Sequence, residues 1–235
     1  MIIPTVFAKD KKEFNERYKK ILDISENIQI DFMDGEFVGN KSVSIKDLPR
    51  LNKKKKFEAH LMVEEPSKMI SKLASIGFSK VIIHYEVLIG DEIIGVIKKI
   101  RKYKMKVFLG LNPATTVSEI LPYLNSVDGV LVMGVNPGQE GQKFINEIYD
   151  KIKKLRTFNK NLIIQIDGGI NLKNAARLGE LGVDILNSGS FVYESDSPKS
   201  SIKSLENEFL KGRKKFENSK EIKFSSKLED IENQN

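Results

Sequence analysis

The sequence predicts an α/β fold, a single-domain (β/α)8 barrel, and three observations carry that expectation. First, apolar runs of five to eight residues, rich in Val, Ile and Phe, alternate with amphipathic lysine- and glutamate-rich segments, the pattern of a parallel sheet with crossover helices. Second, eight such runs occur with no second composition zone, whereas an open doubly wound sheet usually stops at about six parallel strands. Third, the 235 residues fall within the roughly 200 to 250 that such a barrel uses. A doubly wound fold would also want a glycine-rich turn after its first strand, and Thr5-Val6-Phe7-Ala8-Lys9-Asp10 contains no glycine.

In chain order, the first strand spans Ile2–Ala8 and leads into a charged amphipathic helix over Lys11–Ile24. The second strand, Ile28–Met33, alternates in polarity. The segment after it passes Gly35 and Gly39, so its helix shrinks to Ile45–Leu51 around Pro49. The third strand is Phe57–Met62, with a helix over Ser67–Ile76, and the fourth is Lys80–Tyr85, with a helix over Asp91–Tyr103. Strand five, Lys106–Leu111, precedes a helix over Val117–Leu124, and strand six, Gly129–Val135, precedes one over Glu147–Phe158. Strand seven, Leu162–Ile166, precedes a helix over Leu172–Leu181, and Asp184–Asn187 completes the set. Residues 1–210 form the barrel domain. From Lys211 the chain is highly charged and poor in apolar periodicity, so 211–235 reads as a flexible C-terminal tail.

Composition narrows the function. The absence of cysteine excludes a disulfide framework, a zinc–cysteine site and thiol catalysis, and fits a reducing compartment. The first strand begins at Ile2, which leaves no room for a secretory leader, and no run approaches the ~20 apolar residues of a membrane span. The expected location is the cytoplasm, with no membrane partner. The net charge of +7 comes from lysines spread over nearly every helix and mixed with glutamate, with one dense run at Lys53–Lys56. That reads as a soluble surface favouring anionic substrates rather than a nucleic-acid face. A homo-oligomer is left open.

In a barrel of this kind the active site lies at the carboxyl ends of the strands. There the sequence places Asp31, Asp34, His60, His84, Asn112, Asn136 and Asp167. Gln29 and Asp31 share one face of the second strand by the period-two rule, and point into the barrel if Ile30 and Phe32 face the helices. A carboxylate there requires pairing, hydrogen bonds or a metal. Asp31, Asp34 and Asp167 each have a second reading as loop caps. A histidine at a strand end is more often a structural hydrogen-bonder, the reading favoured for His84, whereas His60 with Asp31 and Asp167 makes a common ligand set for a divalent ion. Gly138, Gly141, Gly168, Gly169 and Gly189-Ser190 let backbone N–H groups approach an anion, and barrels commonly hold phosphate after strands seven and eight.

The same residues resemble a family. Ile30-Asp31-Phe32-Met33-Asp34-Gly35 with Phe37-Val38 and Asn40, His60-Leu61-Met62, Leu111-Asn112-Pro113-Ala114-Thr115, Met133-Gly134-Val135-Asn136-Pro137-Gly138, Gly141-Gln142-Lys143-Phe144 and Asp167-Gly168-Gly169-Ile170 resemble ribulose-phosphate 3-epimerases, in order, from Ile3 to about Tyr193. The resemblance implies a barrel that interconverts ribulose 5-phosphate and xylulose 5-phosphate through an enediolate. It implies Asp31 and Asp167 as acid/base pair and metal ligands, His60 as a further ligand, and one divalent cation (Mn, Fe, Zn or Mg). It also implies that Met33, Met62 and Met133 lie beneath the substrate, although gap-filling in a core explains methionines equally. The chain departs from the pattern at the site. Gln29 stands where the family has a metal-binding histidine, and as a weaker, harder ligand it would lean the site toward Mn or Mg. Thr5 replaces a serine near the substrate, Gln139-Glu140 replaces Phe-Gly in the loop after strand six, and Gly134 replaces a serine. These departures keep two alternatives open: a phosphosugar-binding barrel without turnover, and a hexulose-phosphate epimerase or lyase. The lyase would want a lysine among the strand ends, where none lies.

Overall fold

In the computed structural model, which describes residues 1–88 and 90–232, eight parallel strands close into a barrel. They are β1 (Ile2–Val6), β2 (Asn27–Met33), β3 (Lys56–Met62), β4 (Phe78–His84), β5 (Lys106–Leu111), β6 (Gly129–Met133), β7 (Ile164–Asp167) and β8 (Ile185–Ser188), with β8 pairing back onto β1. The expected TIM-barrel architecture is the observed one. Around it run α1 (Lys11–Leu22), α2 (Ile70–Ile76), α3 (Glu92–Lys102), α4 (Val117–Ile120), α5 (Ile148–Phe158), α6 (Leu172–Glu180), α7 (Ser190–Tyr193) and α8 (Pro198–Glu232). Among the described residues, no helix is long and apolar enough to cross a membrane.

Strand alternation sorts side chains between the outside and the inside of the barrel, and a third small cluster, Phe7, Met33, Val38 and Met62, lies at the strand ends. Ile30 and Phe32 of β2 join the large outer cluster between barrel and helices, together with Ala59, Leu61, Val81 and Ile83 from the next two strands. A smaller cluster of Ile3, Ile82, Phe108, Leu131 and Met133 fills part of the interior. Gln29 and Asp31 therefore do point inward, as the period-two reading requires.

Three expectations need correction. The helix over Val117–Leu124 is α-helical only to Ile120 and continues as a 3-10 segment, Leu121–Ser126. Pro122 lacks an N–H and disfavours a continued α-helical ladder. The segment after β2 holds only a 3-10 turn at Ile45–Asp47 instead of a helix to Leu51. The charged stretch from Lys211 does not start as a tail, because it continues α8 along α6. Phe209 is fully buried beneath it, worth roughly 1.5–3 kcal/mol of apolar burial. A side chain at Gly212 would run into the Ala176 carbonyl, and Arg213 donates to the carbonyls of Gly182 and Val183 and pairs with Asp184. Charged residues hide this packing because Arg213 satisfies backbone groups rather than adding to an apolar stripe. Of the expected tail, residues 233–235 lie outside the described residues.

Candidate active site

The parallel register carries the site residues to one level. Asp31 on β2 pairs with His60 on β3, and Met33 with Met62. Asp167 pairs with Met133 across β6 and β7. The three candidate ligands converge: one ligand atom each from Asp31, His60 and Asp167 lie within 4.8 Å of one another, and all three residues are buried. His60 Nδ1 is 3.3 Å from Asp31 Oδ1 and 3.3 Å from Asp167 Oδ2. Two carboxylates and an imidazole are the donor set of many catalytic metal sites, and a divalent cation fits here by taking the place of the proton between His60 Nδ1 and the acids.

Gln29 stands beside this triad, with an orientation that sequence reasoning did not reach. Its amide nitrogen, not its oxygen, faces the acids: Nε2 donates to Asp31 Oδ1 (2.9 Å) and Asp167 Oδ2 (2.5 Å) and is 3.4 Å from Thr5 Oγ1. The orientation has a cause one layer deeper. Lys80, a donor only, binds Gln165 Oε1 at 2.9 Å and pairs with Glu58. Gln165 Nε2 must then donate, to Glu58 Oε1 and Asn187 Oδ1, and Asn187 Nδ2 donates to Gln29 Oε1 at 2.8 Å. Donor and acceptor roles thus run from Lys80 to Gln29, leaving Nε2 for the carboxylates. For its oxygen to reach a cation, the amide would have to turn over against this network. Glu58, Lys80, Gln165 and Asn187 were missed. Their signal was available, since Glu58 lies two residues before His60 and Gln165 two before Asp167, on the same inward faces.

A second chain leaves His60 on its other side. His60 Nε2 is 2.9 Å from His84 Nε2, and the rings stack at 5.1 Å. His84 Nδ1 is 3.0 Å from Glu86 Oε2, and Glu86 accepts from the Asn112 backbone N–H and the Thr115 hydroxyl. Burial, followed by the His60 charge, lowers the His84 pKa despite Glu86. Glu86, absent from the strand-end set, anchors this chain.

The electrostatics of the triad are those of crowded, dry charges. Burial, reinforced by the Asp167 charge and opposed by His60, raises Asp31 to about 6. Burial pulls His60 down, but the hydrogen bonds and charges of Asp167 and Asp31 outweigh it and raise His60 to about 9.

Above the triad opens a pocket of about 570 Å³, mouth included. Thr5, Met33, Met62 and Met133 line it with the acids, as do Gly138, Gly141, Gly168, Gly169, Gly189 and Ser190. Gly168 and Gly169 hold φ of 97° and 69°, so glycine is required there by backbone geometry. Gly134, where the sequence departs from the family serine, leaves no space: a Cβ would meet the Gly168 carbonyl and the Phe144 ring. The other strand-end residues serve loops. Asp34 caps the turn after β2, accepting from the N–H groups of Glu36, Phe37 and Glu64. Asn136 offers its carbonyl to Gln142.

Comparison with known proteins agrees with this geometry. Residues 1–193 match the Ribulose-phosphate 3 epimerase family. The ribulose-phosphate 3-epimerase of Schizosaccharomyces pombe is 32% identical over 218 residues, covering 90% of this chain and 95% of that protein. That of Bacillus subtilis is 34% identical over 192 residues, covering 76% and 84%. Among solved structures, 3-hexulose-6-phosphate synthase from Salmonella typhimurium has a TM-score of 0.66 at 15% identity, covering 90% of this chain and 99% of that one. KGPDC from Streptococcus mutans has a TM-score of 0.69 at 14% identity, covering 88% and 96%. These two likenesses concern the fold alone. With the sequence relatives, the family match and the convergent acid pair in agreement, the chain belongs to the ribulose-phosphate 3-epimerase family.

Proposed function

We propose that this chain interconverts D-ribulose 5-phosphate and D-xylulose 5-phosphate by two-base proton transfer at C3, through an enediolate. The observation that carries the reading is the convergence of Asp31 from β2 and Asp167 from β7 in one pocket that glycines also line. Inverting a carbon requires one group to take a proton from one face and a second to return one to the other. One aspartate starts as carboxylate and ends as acid, while its partner does the reverse, and a proton passed back between them or through solvent restores the starting form.

Asp31, His60 and Asp167 would hold one divalent cation, which when bound supplies charge stabilisation to the oxygens of the developing enediolate. Gln29 bridges the two carboxylates through its N–H groups and limits how freely they swing. The three methionines provide a polarizable, water-excluding bed under the sugar. Gly168, Gly169, Gly189 and Ser190 offer backbone N–H groups to the phosphate.

The test is exchange of the C3 proton of ribulose 5-phosphate with solvent deuterium, followed by NMR. The wild-type chain exchanges it and accumulates xylulose 5-phosphate; Asp31→Asn and Asp167→Asn each stop the conversion. Conversion that survives in either variant would remove that residue from the acid/base pair. A chain that binds the sugar phosphate but never exchanges C3, with any added divalent ion, is a binding protein instead.

A further inference from the structure

We propose that Glu140 occupies the phosphate cradle of the free protein and that the substrate phosphate displaces it, taking over Arg17 as its cationic partner. The inference rests on the reading of the pocket glycines as a phosphate site and adds a specificity residue, Arg17, from outside the strand ends.

Four observations carry it. Glu140 lies in the loop after β6 and lines the same pocket as Gly168, Gly169, Gly189 and Ser190. Its Oε1 sits 3.0 Å from where a Cβ on Gly189 would be, so the carboxylate fills the notch that this glycine leaves. Its Oε2 accepts from Arg17 Nη1 at 2.6 Å. One carboxylate therefore spans the space between the Gly189 notch and the guanidinium, and an anion with more oxygens placed in the notch reaches the same Nη1. Finally, Arg17 is held for the purpose: Nη2 pairs with Glu13 Oε1 at 2.8 Å, and the guanidinium lies 5.3 Å over the Tyr193 ring on α7.

The charge balance favours exchange. Arg17 faces Glu13 and Glu140, and Glu194 adds a further negative charge near Glu140. Burial and these neighbours hold the Glu140 carboxyl above its ordinary pKa despite Arg17. A phosphate dianion and the Glu140 carboxylate cannot share one notch. When phosphate enters, Glu140 turns out to solvent, its repulsion with Glu13 and Glu194 is relieved, and the fork of Arg17 keeps Glu13 on one nitrogen and phosphate on the other.

Calorimetric titration of the full chain with inorganic phosphate, and then with ribulose 5-phosphate, tests the exchange. Glu140→Gln binds both about three- to fivefold tighter, because a partly exposed ion pair no longer has to be broken. Arg17→Met binds both about tenfold more weakly. In Arg17→Met, adding Glu140→Gln brings no further gain, since Glu140 is no longer held in the notch. Unchanged affinity in either single variant, or gains that simply add in the double variant, would overturn the exchange. Gly189→Val, which fills the notch, separates this from the underlying reading. If Gly189→Val binds phosphate like the wild type, the cradle itself is misassigned. If it loses phosphate while Glu140→Gln and Arg17→Met do not respond, the cradle stands and only the exchange falls.

Discussion

Two polar layers lie inside this barrel, one above the other, and they are built to opposite specifications. The lower layer, Gln29, Glu58, Lys80, Gln165 and Asn187, is closed: its buried acid, Glu58, meets the half-buried Lys80, and its amides hydrogen-bond to one another. The upper layer, Asp31, His60 and Asp167, places two acids against a single imidazole and opens to a pocket. A closed layer fixes geometry; an open one has unmet electrostatic demand, which a cation and a substrate can answer. Gln29 belongs to both, and its amide is the joint through which the lower layer orients the upper.

The largest expected effect sharpens this contrast from above. Asp31→Asn and Asp167→Asn should each lower turnover by about 10³-fold or more in an isomerase assay, with changes in melting temperature smaller than those from the lower layer. Next comes the lower layer itself. Lys80→Met strands Glu58 in the interior and should destabilise the fold by about 3–5 kcal/mol in urea unfolding. A loss below about 1 kcal/mol, the range of a solvent-exposed pair, would show that water reaches Glu58 and that the layer is not closed.

At the joint, Gln29→His replaces a donor facing the acids with a ligand. Divalent-ion affinity, read by competition with a fluorescent chelator, should rise about tenfold, most for zinc. No gain would mean that the wild-type amide already turns its oxygen to the cation. The smallest effect concerns protons. His60 rises from 6.5 to about 9 on folding and Asp31 from 3.8 to about 6, so both bind protons more tightly folded than unfolded. Each contributes stability below its unfolded value that is lost as pH climbs through its folded one. The metal-free protein should therefore melt at lower temperature at about pH 9 than at about pH 6.5, through His60. Added divalent ion should flatten that slope, because it takes the place of the proton.

Much of the site was legible because chemistry and strand ends coincide. Asp31 and His60 stand two residues before the ends of β2 and β3 and Asp167 ends β7, and inward alternation on β2 followed from Ile30 and Phe32 needing the helices. The lower layer was less legible because Glu58 and Lys80 look like ordinary surface charges in a lysine-rich chain. Only the register that sets Glu58 opposite Lys80 shows them paired in the interior. α8 was misread past Lys211 for a related reason. Glycines that allow close backbone approach and an arginine that serves carbonyls leave no hydrophobic period.

The sequence by itself determined the barrel and its eight strands, the acid pair with its imidazole, and the pocket glycines. Each of these depends on residue type and local period, which the chain carries along its length. Tertiary structure alone decided which way Gln29 turns, which acid Lys80 neutralises, and where Glu140 rests. Those outcomes depend on partners from other strands and loops, such as Glu58 for Lys80, Arg17 for Glu140 and Asn187 for Gln29. A hydrogen bond or ion pair is satisfied by whatever closure of the barrel brings within about 3 Å, and that distance is not written in any local stretch of sequence.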